Sequence, residues 1–212
     1  MHPTIRIMCV DDHAIVREGV ALVLGRERDC EVVATASSGT EAVTLYRVHR
    51  PDVTLMDLRM PGMTGLQAIR RIREEFSTAK IIVLTVYDGD EDVFNAIKAG
   101  ATTYLLKDTL SADLVRAIRD VYQGRSPLNA EVTERLHTRS TRTPLSQREV
   151  QVLDLLAEGM RNKEISDALG ISEETVRVHV KNLMAKLQVS DRTAAVTVAA
   201  RHGIIHLEDW SH

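Results

Sequence analysis

Five times in the first 124 residues a short β-prone apolar run gives way to a helical pattern, at a spacing of roughly 25 residues. The strand-like runs are Ile5–Val10, Glu31–Ala36, Val53–Met56, Lys80–Leu84 and Thr102–Leu106. The helical patterns between and after them are Ile15–Leu24, Glu41–Val48, Leu66–Glu75, Val93–Lys98 and Leu114–Tyr122. Ser38 with Glu41, Thr64 with Gln67 and Asp88 with Glu91 have the spacing of capping boxes and support helix starts there. Such alternation predicts parallel strands joined by helical crossovers. Crossovers of that kind are right-handed, so helices should cover both faces of a doubly wound α/β sheet of five parallel strands.

Parallel strands all end at one edge of their sheet, which gives the residues after each strand a common address. The first run is followed by Asp11-Asp12, the third by Asp57, the fourth by Thr85 and the fifth by Lys107. The second brings only small residues, as expected of an outer strand. Taken alone, Asp57 before a Pro-Gly turn is most simply a turn former or helix cap. Three carboxylates, a hydroxyl and an ammonium converging on one edge are another matter. Carboxylates that close repel unless a cation intervenes, and a hard ion such as Mg²⁺ takes oxygen ligands and also coordinates phosphate oxygens. A carboxylate there can act as a nucleophile toward a phosphoryl group. Phosphoryl transfer depends mainly on positioning and charge neutralisation, which Lys107 can supply, while Thr85 offers a hydroxyl. A lysine that merely pairs with buried carboxylates is the plainer alternative.

The acidic pair, the segment Asp57-Leu58-Arg59-Met60-Pro61-Gly62-Met63-Thr64-Gly65, Thr85 and Tyr104-Leu105-Leu106-Lys107-Asp108 resemble the flavodoxin-like receiver domain of two-component response regulators. That resemblance implies Asp57 as phosphoacceptor. It implies a Mg²⁺ site made by Asp12 and Asp57, with Asp11 mostly through water and the Arg59 backbone carbonyl as a further ligand. It also implies that Thr85 and Lys107 contact the phosphoryl group, and that Tyr104, the switch aromatic, moves inward as Thr85 turns toward it. One position departs from the family: the residue after the threonine, usually small, is Val86. The expectation is that its β-branched side chain narrows access for small phosphodonors.

Gln123-Gly124-Arg125-Ser126-Pro127 stops the last of these helices. Ala130–Leu136 could form a short helix, whereas His137–Pro144 reads as a flexible linker. Beyond it, Ser146 with Glu149 makes a capping box for a helix that Gly159 ends. A short helix over Lys163–Leu169, a Gly170-Ile171-Ser172 turn and a longer helix over Glu173–Leu187 then suggest helix-turn-helix. On the last of these, Val176, Val180, Leu183 and Leu187 form one stripe. Arg177, Val178 and Lys181 fall opposite, a face suited to base edges and phosphates in a major groove. An ordinary solvated helix face is the competing reading of the same pattern.

The segments Leu145-Ser146-x-Arg148-Glu149, Gly159–Ile165, Ile171–Val180, Lys186-Leu187 and Asp191-Arg192-Thr193 resemble the LuxR-type DNA-binding domain. With the receiver, the chain looks like a NarL/FixJ-type response regulator. The resemblance implies Arg177, Val178 and Lys181 as base readers, with Lys163, Thr175, His179 and Lys186 on phosphates. It implies a dimer-forming helix over Thr193–Arg201. The domains expected are a receiver over 1–124, a linker over 125–140, a small all-α helix-turn-helix domain over 141–206 and a tail over 207–212. The partners expected are a sensor histidine kinase and DNA, probed as a homodimer on an inverted-repeat operator, with no membrane and no enzymatic activity of its own.

Composition bounds this reading without deciding it. Hydrophobic residues at 44% and charged residues at 27% are those of a globular protein, and no apolar run approaches the ~20 residues of a membrane span. The net charge of −3 does not announce nucleic acid. The deficit lies in residues 1–124, with 15 Lys and Arg against 18 Asp and Glu, and the remainder balances at 12 against 12. Cys9 and Cys30 make no disulfide framework, and the first strand runs straight into Asp11-Asp12 without a leader pattern; the expected compartment is the cytoplasm. The eight histidines follow no zinc spacing. The rival function is a phosphate-handling enzyme or phosphorelay shuttle whose helical domain binds protein. A DNA binder whose receiver ignores phosphate is a third possibility.

Overall fold

The computed structural model describes residues 4–86, 89–109, 111–125 and 130–206. The chain divides into two compact units, residues 1–87 with 93–133, and residues 134–212 with 88–92. In the first unit the strands are β1 (Ile5–Val10), β2 (Cys30–Ala36), β3 (Val53–Met56), β4 (Ile81–Thr85) and β5 (Thr103–Leu106). They form one sheet in the order β2-β1-β3-β4-β5, with every pairing parallel. The expected doubly wound sheet is therefore present, and β2 is at its outside. Where the winding reverses, between β1 and β3, the two strand ends leave a crevice of the kind that binds ligands.

Helices α1 (Ala14–Leu24), α2 (Gly39–His49), α3 (Gly65–Glu75), α4 (Asp90–Ala99) and α5 (Ser111–Tyr122) alternate with the strands. One of the sequence-read helix starts has the expected capping box and a second has half of it. Thr64 and Gln67 form a complete capping box on α3. Ser38 accepts from the Glu41 amide, but the Glu41 carboxylate instead takes the Ser37 amide and hydroxyl. Asp88 lies outside the described residues. The central strands β3 and β4 are buried along their whole length and β1 nearly so, and Ile7, Cys9, Val53, Leu55 and Ile82 pack with Leu114, Val115, Ile118 and Val121 of α5. Fully burying an aliphatic side chain is worth about 1.5–3 kcal/mol, so this layer holds the strand ends rigidly beside one another.

Helix α6 (Ala130–Thr141) corrects one expectation, because the helix continues through His137–Thr141 where a flexible linker was anticipated. No glycine or proline interrupts the sequence between Asn129 and Pro144, and several of its residues are good helix formers. The hydroxyls of Ser140 and Thr141 donate back to the His137 and Thr138 carbonyls. Pro144 prevents further propagation.

In the second unit, α7 (Gln147–Ala157), α8 (Asn162–Leu169), α9 (Glu173–Leu187) and α10 (Arg192–Arg201) close around Val152, Leu153, Leu156, Ile165, Val176, Leu183, Ala195 and Ala199. Gly170, at φ 63°, supplies the left-handed residue that ends α8. Ser172 then caps α9 by accepting from the Thr175 amide.

Candidate functional site

Backbone hydrogen bonds register the acidic edge. The Asp57 amide donates to the Val10 carbonyl at 2.9 Å, the Asp11 amide to the Ala36 carbonyl at 3.1 Å, and the Lys107 amide to the Thr85 carbonyl at 2.8 Å. Each strand end is thus tied to its neighbour, and the side chains beyond them meet. Lys107 Nζ lies 2.7 Å from Asp11 Oδ2 and 2.8 Å from Asp57 Oδ2. Asp57 Oδ1 accepts from the Leu58 amide at 2.8 Å, and the Thr85 hydroxyl also hydrogen-bonds the Asp57 carboxylate. Asp11, Asp57 and Thr85 are buried, and Tyr104 is already turned inward, only 3% exposed.

One ammonium therefore serves two buried carboxylates, with Asp12 beside them. Burial pushes the Asp57 pKa above its ordinary value, and the charge of Asp11 adds to this against the opposing pull of Lys107. Burial works against the Lys107 charge, but its hydrogen bonds to Asp11 and Asp57 prevail and raise its pKa. Desolvation is what chiefly raises Asp57, whereas the pull of two carboxylates on one ammonium is what raises Lys107. Asp12 Oδ1 is also shut off from water and accepts no hydrogen bond among the described residues. Ligand atoms of Asp11, Asp12, His13 and Asp57 all lie within 4.8 Å of one another. A buried carboxylate oxygen that lacks a hydrogen bond of good geometry, beside two further carboxylates that share one ammonium, fits a divalent cation.

The loop after Asp57 is shaped by glycine. Gly62 has φ 74°, in the left-handed region. The Gly65 amide donates to the Leu58 carbonyl at 2.9 Å. A Cβ on Gly65 would lie 1.8 Å from the Asp57 carbonyl oxygen, so only glycine lets α3 begin this close to the acidic residue. Val86 follows Thr85 and is 63% exposed, in keeping with a side chain at the mouth of the pocket.

On α9, Val176, Leu183 and Leu187 are buried and Val180 is half-buried against the same cluster, as the sequence stripe implied. Arg177, Val178 and Lys181 are exposed on the other side, Val178 by 49%. Arg177 is held by Glu173 at 2.8 Å and approaches Glu174 at 3.5 Å, contacts that solvent makes weak. Lys163 and Thr175 are exposed and His179 half-buried. Lys186 differs from the rest: its ammonium lies 2.6 Å from Glu149 Oε2, and that buried carboxylate also takes the Ser146 amide and hydroxyl. Lys186 is thus committed to the fold of its unit.

A receiver edge in one unit and a helix-turn-helix in the other are the features that identify the chain. The response regulator receiver domain matches residues 7–119, and the luxR family of bacterial regulatory proteins matches residues 143–199. The chain belongs to the LuxR-type response regulators. It is 41% identical over 210 residues to the transcriptional regulatory protein LiaR of Bacillus subtilis, covering 95% of this chain and 100% of that one. Among solved structures, the response regulator ChrA of a heme-sensing two-component system is 36% identical, with a TM-score of 0.58 over 95% of this chain and 99% of that one. The RcsB–DNA complex is 26% identical, with a TM-score of 0.67 over 93% and 98%.

This response regulator is accordingly a DNA-binding transcription regulator of a two-component system, and its family is not one of enzymes. Receiver domains bind Mg²⁺ at an acidic pocket, and in this chain Asp11, Asp12 and Asp57 form an acidic cluster. No helix among the described residues is long and apolar enough to cross a membrane. Sequence reasoning missed two contributors to the site. Gly65 was read as part of a motif without its steric reason, and His13 was passed over although it directly follows the acidic pair.

Proposed function

We propose that this response regulator accepts a phosphoryl group on Asp57 and that the modified receiver alters DNA binding by the second unit. A carboxylate oxygen of Asp57 attacks the phosphorus of a sensor kinase phosphohistidine. The P–N bond breaks, the imidazole leaves with its electron pair, and an acyl phosphate forms on Asp57. Lys107 neutralises the incoming charge from 2.7–2.8 Å away from both buried carboxylates, and Thr85 turns its hydroxyl to a phosphoryl oxygen. Asp11, Asp12, Asp57 and the Arg59 carbonyl would hold Mg²⁺, which when bound supplies further charge neutralisation on the phosphoryl oxygens. The buried position of Tyr104 beside this edge suits a switch that couples the state of Thr85 to the surface.

The second unit would read bases with Arg177, Val178 and Lys181, and touch phosphates through Lys163, Thr175 and His179, with Lys186 reaching one only by loosening from Glu149. Binding as a homodimer to an inverted-repeat operator in the cytoplasm completes the reading. A swing from 1:99 to 99:1 between the two states requires ~5.5 kcal/mol of differential stabilisation from the phosphoryl group. The observation that carries the proposal is the excess of buried carboxylate around one shared lysine, a cost without benefit unless cation and phosphate are to be received.

The test is phosphorylation of the full chain with acetyl phosphate and Mg²⁺, read by mass spectrometry, followed by duplex binding with and without beryllofluoride. An adduct on Asp57 that is absent from Asp57→Asn, and a change of DNA affinity with beryllofluoride, are expected. Lys163→Ala should weaken binding on all sequences and lower the salt slope by about 1, and Lys181→Ala should weaken binding with loss of sequence preference. A well-folded chain that acquires no adduct at Asp57 would overturn the proposal.

A further inference from the structure

We propose that His13 contributes an imidazole nitrogen to the cation in the acidic pocket, so that borderline d-block ions such as Co²⁺ are held more tightly than oxygen ligands alone would hold them. The inference rests on the metal reading above and adds a ligand to it. His13 occupies the N-cap of α1, with extended backbone at φ −82° and ψ 113°, yet its side chain makes no capping hydrogen bond. Serine, threonine, aspartate or asparagine normally fill such a position because they can cap. Here the ring turns the other way. Nδ1 lies 2.8 Å from Asp12 Oδ1 and 3.3 Å from Asp11 Oδ1, and the His13 amide donates to Asp11 Oδ1 at 3.0 Å.

These separations are those of neighbouring ligands around one ion. With ligands at about 2.1 Å in octahedral geometry, adjacent donor atoms are about 3 Å apart and opposite ones about 4.2 Å apart. The 2.8 and 3.3 Å spacings match the first value, and the 4.8 Å that bounds the whole set lies near the second. Asp12 Oδ1, the oxygen nearest the ring, is the buried one that accepts no hydrogen bond among the described residues. The ring itself is 66% exposed, so it is free of packing that would oppose a small rotation onto an ion.

Nitrogen in the ligand set changes which ion is preferred. Oxygen ligands suit Mg²⁺, while imidazole suits Co²⁺, Ni²⁺ and Zn²⁺, and affinity rises along the first-row series. A histidine serving only as a counter-charge to the carboxylates has the opposite signature. It would compete with every divalent cation alike, and its removal would strengthen all of them.

The experiment titrates the full chain with Mg²⁺ and with Co²⁺ by calorimetry at one fixed pH, for the wild type, His13→Ser and His13→Asn. Both replacements are good N-caps, and a thermal melt of each checks that the fold is intact. Loss of Co²⁺ affinity by roughly tenfold or more, with Mg²⁺ changed by no more than about threefold, is expected. Pulsed electron paramagnetic resonance of the Mn²⁺-loaded chain should show a nitrogen coupling that disappears in both variants. Mg²⁺ binding without a nitrogen signal, or an equal change for both ions, would overturn the role of His13 alone. A wild-type chain that binds neither ion would overturn the metal reading and the inference together.

Discussion

Asp57→Asn should make the first unit more stable at neutral pH in the absence of divalent cations. Lys107 Nζ is 2.7 Å from Asp11 Oδ2 and 2.8 Å from Asp57 Oδ2, so these oxygens lie within about 5.5 Å of each other, the sum of those distances. At an effective dielectric constant of about 20, like charges about 5 Å apart repel by about 3 kcal/mol. The lysine offsets part of that, but it stays with Asp11 when residue 57 is neutral. Burial, reinforced by Asp11, raises the Asp57 pKa, which means that the folded state holds this proton more tightly than the unfolded chain does. For an acid raised in this way, stability falls as pH climbs from the unfolded value through the folded one, and the full penalty applies above both. A neutral isostere removes the penalty, and a gain of about 1–2 kcal/mol is expected after the lost lysine contact is counted. For a unit of this size that is a rise in melting temperature of roughly 3–8 °C. Scanning calorimetry of both full chains in EDTA, from about pH 8 down to about pH 4, measures it. The difference should shrink as acid protonates the wild-type carboxylate. It should shrink again in Mg²⁺, which at a hundred times its dissociation constant stabilises the wild type by about 2.7 kcal/mol. An Asp57→Asn chain that melts below the wild type at neutral pH in EDTA would refute the claim that this buried charge is a net cost.

Val86→Ala should speed labelling by acetyl phosphate, because the exposed β-branched side chain follows Thr85 at the phosphoryl site; an unchanged rate of adduct formation in a quenched time course would contradict this. Gly65→Ala should cost about 2–4 kcal/mol and weaken Mg²⁺ binding, since its Cβ would meet the Asp57 carbonyl oxygen at 1.8 Å; calorimetric melting and Mg²⁺ titration would both have to be near wild type to defeat the steric argument. Glu149→Gln should destabilise the second unit by about 2–3 kcal/mol at neutral pH, less than a fully buried pair because Lys186 is partly exposed. Burial opposes the Glu149 charge, but Lys186 and the Ser146 amide and hydroxyl hold its pKa below the ordinary value. Its contribution is therefore present above the unfolded pKa and lost as pH falls through the folded one. Acid titration of unfolding should show that loss in the wild type and a flatter profile in the variant.

The receiver edge was legible in the sequence for a geometric reason. A parallel sheet sends every strand end to the same side, so Asp11, Asp12, Asp57, Thr85 and Lys107 could be assembled from their positions after apolar runs without any tertiary information. What that logic does not provide is who shares whom. That Lys107 divides its ammonium between Asp11 and Asp57 depends on β1, β3 and β5 being at fixed distances across the sheet. His13 was illegible for a different reason. Zinc spacing along the chain weighs histidines by their distance from one another, whereas the inferred part of His13 comes from lying three residues past the end of β1, next to the acidic pair, and from failing to cap α1. Helix α6 was underestimated because polar residues without an apolar stripe read as linker, although nothing between Asn129 and Pro144 forbids a helix.

The helix-turn-helix unit shows the limit of periodicity more sharply. Lys181 and Lys186 are both basic residues on α9 away from the narrow apolar stripe, and the family resemblance gives both of them to DNA, Lys181 to bases and Lys186 to a phosphate. Glu149, 37 residues earlier, separates them: it is buried at the start of α7 and takes the Lys186 ammonium at 2.6 Å, while the Lys181 side chain is exposed. Lys186 would have to surrender a partly buried ion pair to release a counterion from DNA, and that cost works against the gain. The number of phosphate contacts counted from basic residues on the helix therefore exceeds the number that can appear in the salt dependence of binding, and Lys186 is the residue that makes the difference.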